Sequence, residues 1–255
     1  MSESVAATMP RPRSPFIAIL VYTLRSCFPR KRWMAVLVPC AGALLFGLLS
    51  YAVHESAQRA FATVAADGIF GLVLPIAALV IGDSVLGAEV RAGTFHFTWL
   101  SPTPTWQIVL GRWVAGALVA LVTIAPAAAL AAIIAGSPES AVATFVAAAV
   151  GGAAYVAMFI AIASLTRRTA VWSLAFVFLV ERLLGTALTG IAQLSPTWES
   201  RAIFLGFLND VPHRVVRTGI PQGGAAVVRL TIVSIVVLAV AIWRISHMRW
   251  VGATD

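Results

Sequence analysis

Six stretches of this chain are almost uninterrupted in apolar character: residues 33–53, 69–87, 108–134, 141–165, 171–194 and 225–243. None alternates polar and apolar positions as a strand facing lipid on one side would. Each is close to or above the roughly 20 residues that a helix needs to cross about 30 Å of hydrocarbon. Lipid offers no hydrogen-bond partner to open backbone, so each stretch is predicted to be a complete helix. The pattern predicts an all-α polytopic membrane protein with six transmembrane helices, in which residues 15–255 form a single transmembrane domain behind a disordered tail at 1–14.

The polar intervals refine this plan. Before the first span, Phe16, Ile17, Ile19, Leu20, Leu24 and Phe28 precede Pro29 and the basic Arg30-Lys31-Arg32. That run is too short to cross and suits an N-terminal helix lying in the membrane interface. The first span itself reads as an uncleaved signal-anchor, since the stretch before it is long and polar for a leader. Gly136-Ser137-Pro138-Glu139 joins spans three and four so tightly that they must form an antiparallel hairpin. Span four repeats small residues at Ala143, Ala147 and Gly151, and one step round at Ala148 and Gly152, a spacing that lets helix backbones approach closely. The contact it makes is either inside the subunit or between subunits. Residues 195–224 form the longest connection, and its apolar run 203–208 suits an outer segment that dips into the membrane without crossing it.

The connection between spans two and three, residues 88–107, concentrates unusual chemistry. Pro102 and Pro104 interrupt any continuous helix, and Thr103-Pro104 reads as an N-cap and first-turn proline opening span three. Phe95, Phe97 and Trp99 alternate as in a strand, but a lone strand here has no partner. As a short helix the segment places Arg91, Phe95 and Trp99 at i, i+4 and i+8, an aromatic and cationic ridge on one face. Such a ridge suits either a hot spot for a protein partner or an aromatic anchor at the membrane interface.

Charge orients the chain. With six spans both ends lie on one side, and twelve of the 18 Lys and Arg residues fall on that side, five opposite and one, Arg182, within a span. Cytoplasmic connections carry the positive excess, so both termini are expected in the cytoplasm of a multi-pass cell-membrane protein. Flanking positions of this kind account for the net charge of +8 without a nucleic-acid partner. The 60% apolar and 11% charged composition excludes an ordinary soluble domain. Cys27 and Cys40 are poorly placed for a disulfide. His54, His96, His213 and His247 lie in four different segments without metal-ligand spacing. The only lysine is Lys31 and no G-x-x-x-x-G-K-[ST] occurs, so the chain lacks a phosphate-binding loop of its own.

Span five holds the exception to apolarity. Glu181 and Arg182 lie about ten residues into it, a depth at which ionisable groups are costly unless paired or wetted. Arg182, Thr186, Thr189 and Gln193 follow one another at i, i+4, i+7 and i+11, a polar stripe along the outer half of the helix. It either lines a pathway, together with Glu181, or serves structural pairing with neighbouring helices.

Glu89, Arg91, Gly93-Thr94, Leu100-Ser101-Pro102 and Ile108-Val109-Leu110-Gly111-Arg112-Trp113 together resemble the intracellular connection of type 2 ABC exporter permeases, the integral-membrane subunits of ABC transporters. There an acidic residue, a GT pair, an L-S-P or L-T-P turn and a G-[KR]-[WL] span start recur. The plan of an amphipathic helix, six spans and a partly re-entrant outer segment is also similar. The resemblance implies that 88–107 carries a short cytoplasmic coupling helix seated in a groove of a separate ATPase subunit. Glu89, Arg91, Gly93, Thr94 and Leu100 would be coupling residues by position, and Phe95 and Trp99 join them from the ridge.

The resemblance further implies a transport subunit that is not itself an enzyme. A second permease chain, identical or related, would complete the pathway, and ATP and magnesium would be bound by the partner ATPase. This chain would need no cofactor or metal. Export rather than import, and hence the exporter role, comes from the resemblance alone. Two other classes compete: an ion-coupled secondary carrier, which usually shows internal repeats or broken helices, and a membrane-embedded enzyme, which needs clustered nucleophiles, acids or metal ligands at one depth.

Overall fold

A computed structural model describes residues 14–27, 33–52, 56–166, 168–184, 194–208, 211 and 222–247. The described residues are mostly helical, with no strand among them. In chain order the helices are α1 (Pro15–Cys27), α2 (Trp33–Tyr51), α3 (Ala57–Ala92), α4 (Phe95–Trp99), α5 (Thr105–Ile134), α6 (Ala141–Leu165), α7 (Thr169–Ala175, continuing through the wider π-helical turns of Phe176–Leu184), α8 (Pro196–Gly206) and α9 (Gly224–Ser246).

Five of these, α2, α3, α5, α6 and α9, are long and apolar enough to cross a membrane. The chain therefore has the build of a multi-pass membrane protein. The remaining expected span, 171–194, corresponds to α7, whose continuation at 185–193 lies outside the described residues. So do the tail at 1–13 and the basic Arg30-Lys31-Arg32.

Helix α3 departs most from the sequence expectation of a span at 69–87. It begins twelve residues earlier and runs unbroken for 36 residues, roughly 54 Å at 1.5 Å per residue, well beyond the hydrocarbon thickness. Gly68 and Gly71 weaken a helix by only about 1 kcal/mol each, which packing overrides. Pro75 is accommodated because the helix widens into π turns over Ala65–Val73 immediately before it, and it widens again over Asp83–Gly87. At the start of α5 the expected cap is displaced by one residue: Pro104 occupies the N-cap and Thr103 lies outside the helix.

The core forms around the α5–α6 hairpin. Gly136 turns the chain at φ 76°, and Ser137 Oγ donates to Glu139 Oε1 at 2.9 Å and pairs with Ser140 Oγ at 2.7 Å. The small residues of α6 pack inside the subunit. A Cβ on Gly151 would lie 2.1 Å from Ser200 Oγ of α8 and 2.9 Å from Leu74 of α3, and one on Gly152 would meet Ala120 of α5 at 3.0 Å. Antiparallel neighbours gather α1, the 83–107 region, the α6–α7 turn and the end of α9 at one end of the bundle. The start of α3, the α5–α6 turn and α8 gather at the other.

Candidate functional site

The geometry of the 88–107 connection follows from one glycine. Gly93 adopts φ 69°, the left-handed conformation that ends a helix, and Thr94 N donates back to the Glu89 carbonyl at 3.0 Å, the long bond of a Schellman ending. Helix α4 then starts in a new direction. The spacing Arg91, Phe95, Trp99 is thus interrupted, and the expected outward ridge does not form. Phe95 is buried at 2% exposure, and Trp99 points inward, its Nε1 donating to the Ile245 carbonyl at the end of α9 at 3.2 Å. Arg91 folds back along α3 onto Asp83 in a two-pronged pair. Phe97 and Leu100, each 69% exposed, are the most exposed large apolar side chains of this connection, with Trp106 at its far end and Gly93 and Thr94 also exposed.

Beneath the connection lies a buried cation. Arg112 is two turns into α5 and 1% exposed, not a flanking surface cation. Its Nη1 donates to the Val85 carbonyl in the wide turn of α3 at 2.6 Å, its Nη2 donates to Glu89 Oε2 at 2.7 Å, and its guanidinium carbon stands 5.6 Å from the centre of the Phe95 ring. Glu89 is correspondingly drawn inward. Its charge, helped by burial and a hydrogen bond, raises the pKa of the Tyr22 phenol of α1, while Arg112 opposes the shift. Glu89 thus ties α1, α3 and α5 together where the connection leaves the bundle. A buried arginine holding both a backbone carbonyl and a carboxylate is a rigid mount, since breaking such a pair costs about 3–5 kcal/mol.

The second predicted group divides. Glu181, on the π-helical part of α7, is buried and fully engaged. Tyr155 Oη of α6 donates to Oε2, Thr197 Oγ1 donates to Oε2 at 2.8 Å, and Ser195 Oγ donates to Oε1 at 2.8 Å. Ser195 Oγ also accepts from Trp198 N, capping α8, and Thr197 N lies 3.5 Å from Oε1. The carboxylate therefore sits at the positive end of the α8 dipole among three hydroxyl donors. It is a buried tie between α6, α7 and α8. The side chain of Arg182, and residues Thr186, Thr189 and Gln193, lie outside the described residues.

Sequence reasoning missed Arg112, Tyr22, Tyr155, Ser195, Thr197 and Phe97. The signal for Phe97 was present: once Gly93 is taken as a break, Phe95 and Trp99 share the inner face of a new helix and Phe97 falls opposite. The others are brought together from positions far apart in the chain.

A separate cavity of about 590 Å³ lies between α5, α6 and α9, with walls that include Leu110, Trp113, Leu121, Val150, Ile235 and Leu238. Its hydroxyls, on Thr231 and Ser234, donate to their own helix, so it is an apolar recess without acid or base. Among the described residues no group of three or more His, Cys, Asp or Glu side chains is placed to hold a metal ion. No protein-family model matches the chain, and no curated protein matches its sequence.

Proposed function

We propose that this chain is the membrane-spanning permease subunit of an ATP-driven ABC exporter, forming half of a translocation pathway and taking its energy from a separate ATPase subunit. The observation that carries the reading is the construction of the 88–107 connection. It is a short helix bounded by Gly93 and Pro102, mounted through Glu89 on the buried Arg112 and through Trp99 on α9, with Phe97 and Leu100 left outward. A partner that drives motion by pushing needs a rigid lever with an apolar tip, and a few anchors at the centre of a contact, aromatic ones above all, dominate its energy.

In this reading α7 completes a sixth span, both termini and the 88–107 connection are cytoplasmic, and α8 belongs to the outer end. Two permease chains, identical or related, assemble in the cell membrane above two ATPase subunits that bind ATP and magnesium. Coupling falls to Phe97, Leu100, Thr94 and Gly93 as the contact, while Glu89, Phe95 and Trp99 position it and Arg91 braces it on Asp83. Purification of the chain from its native membrane tests the reading. Vanadate-sensitive ATP hydrolysis should accompany it and should disappear with Phe97→Asp/Leu100→Asp while the chain remains folded. A folded chain with no associated hydrolysis overturns it.

A further inference from the structure

Glu199 is the one carboxylate among the described residues that is wholly buried, at 0% exposure, with neither oxygen hydrogen-bonded. It lies in the first turn of α8, facing α9. The cation beside it, Arg229 of α9, places Nε 3.6 Å from Oε1, beyond hydrogen-bond reach, and its own side chain is 36% exposed. One turn along α8 the Ala202 carbonyl accepts from Gln222 N and Gly223 N, both at 3.2 Å, and Gln222 Oε1 is a further buried acceptor without a donor. Among the described residues the α8–α9 seam thus holds three buried acceptor oxygens without a hydrogen bond, with the half-exposed Arg229 as the cation beside them. Elsewhere on α8, Arg201 bonds to Asp67 and to the Ala66 carbonyl of α3, and Thr197 bonds to Glu181 of α7 and Tyr155 of α6.

We infer that Glu199 is a proton-binding site that clasps α8 to α9, so that α8 docks more tightly when the carboxyl is protonated and loosens when it ionises. A buried ionised carboxylate without donors is unfavourable, whereas the neutral acid removes the charge and supplies the missing donor. Burial raises the Glu199 pKa above the ordinary carboxylate range, and Arg229 opposes this. The docked state therefore binds more protons than the undocked one. Its stabilisation is complete below the ordinary range and is lost as pH rises through the raised value. Asp67, Glu181, Tyr155 and Arg201, the other titratable groups around α8, keep their own partners and are left unaltered by the variants below. The clasp does not depend on the transport reading. That reading supplies only which side the proton comes from, the outer one.

Hydrogen exchange of the α8 amides in the purified full-length chain, corrected for intrinsic rates and followed from pH 4 to pH 8, tests the clasp. In the native chain the opening constant of α8 should rise with pH, about tenfold for each unit by which the docked pKa is elevated. Glu199→Gln, neutral at every pH, should stay protected with a flat profile. Arg229→Met should enlarge the total rise and carry it on to higher pH, because the opposing charge is gone. A flat native profile overturns the clasp, as does a Glu199→Gln profile that rises like the native one. If ATP hydrolysis fails to accompany the chain while these profiles hold, the transport reading falls and the clasp stands.

Discussion

At the scale of single residues, Arg112 and Glu89 carry the most weight. Arg112 is buried and Glu89 nearly so, and they are joined through Arg112 Nη2 and Glu89 Oε2. Replacing Glu89 by Ala should therefore destabilise the chain by about 3–5 kcal/mol rather than leave a folded but uncoupled protein, because it strands the guanidinium in the core. Glu89→Ala/Arg112→Met should recover part of that loss, and thermal melting of the purified variants reads the difference. Phe97→Ala, by contrast, should leave melting unchanged within about 0.5 kcal/mol, as for most exposed positions.

Cys27 gives a second residue-scale expectation. Burial pushes its thiol up to about 11, so at pH 8 only about one molecule in a thousand carries the thiolate that alkylating reagents attack. Maleimide labelling of Cys27 should be negligible in the folded chain and complete after denaturation.

At the scale of elements, helix existence was legible and helix ends were not. The apolar runs of α2, α5, α6 and α9 are read directly because a span in lipid leaves a long, unpunctuated signal. Helix α3 was cut short because residues 54–68 are polar enough to read as a loop. The π turns that let the helix pass Gly68, Gly71 and Pro75 leave no sequence mark. The break between α3 and α5 falls inside the expected 88–107 connection, but Phe95 and Trp99, expected on an outward ridge, face inward, since periodicity was carried across Gly93. The tie at Glu181 was illegible for another reason: Tyr155, Thr197 and Ser195 reach it only through tertiary packing.

Two glycines test this level. Gly93→Ala meets open space but must hold φ 69°, so it should cost about 1 kcal/mol and misdirect α4. A Cβ on Gly206 would fall 1.9 Å from the Gly223 backbone nitrogen, so Gly206→Ala should force α8 from the start of α9 and cost about 1–3 kcal/mol. Urea or thermal unfolding of both variants beside the parent measures the two costs.

At the scale of the molecule, the arrangement separates two ends with different work. One end sets the short helix α4 beside the buried Arg112–Glu89 pair. The other holds α8 between α3, α6 and α9 by polar ties. The proposal that ATP-driven motion passes between them requires the ends to face opposite sides of the membrane. Cysteines introduced at Thr166 and at Phe207 of a Cys27→Ser/Cys40→Ser background should accordingly be labelled by an impermeant reagent from inside and from outside, respectively. Labelling of both from one side contradicts the transmembrane arrangement.

The most direct measurement is the rate of ATP hydrolysis by the reconstituted complex of this chain with the ATPase that co-purifies with it, compared between the parent and Phe97→Ala/Leu100→Ala. Two exposed anchors contributing about 1 kcal/mol or more each predict a loss of at least about tenfold in chain-dependent hydrolysis or in affinity for the ATPase, at unchanged melting temperature. Undiminished hydrolysis and affinity in the double variant would contradict the account of the 88–107 connection as the coupling element.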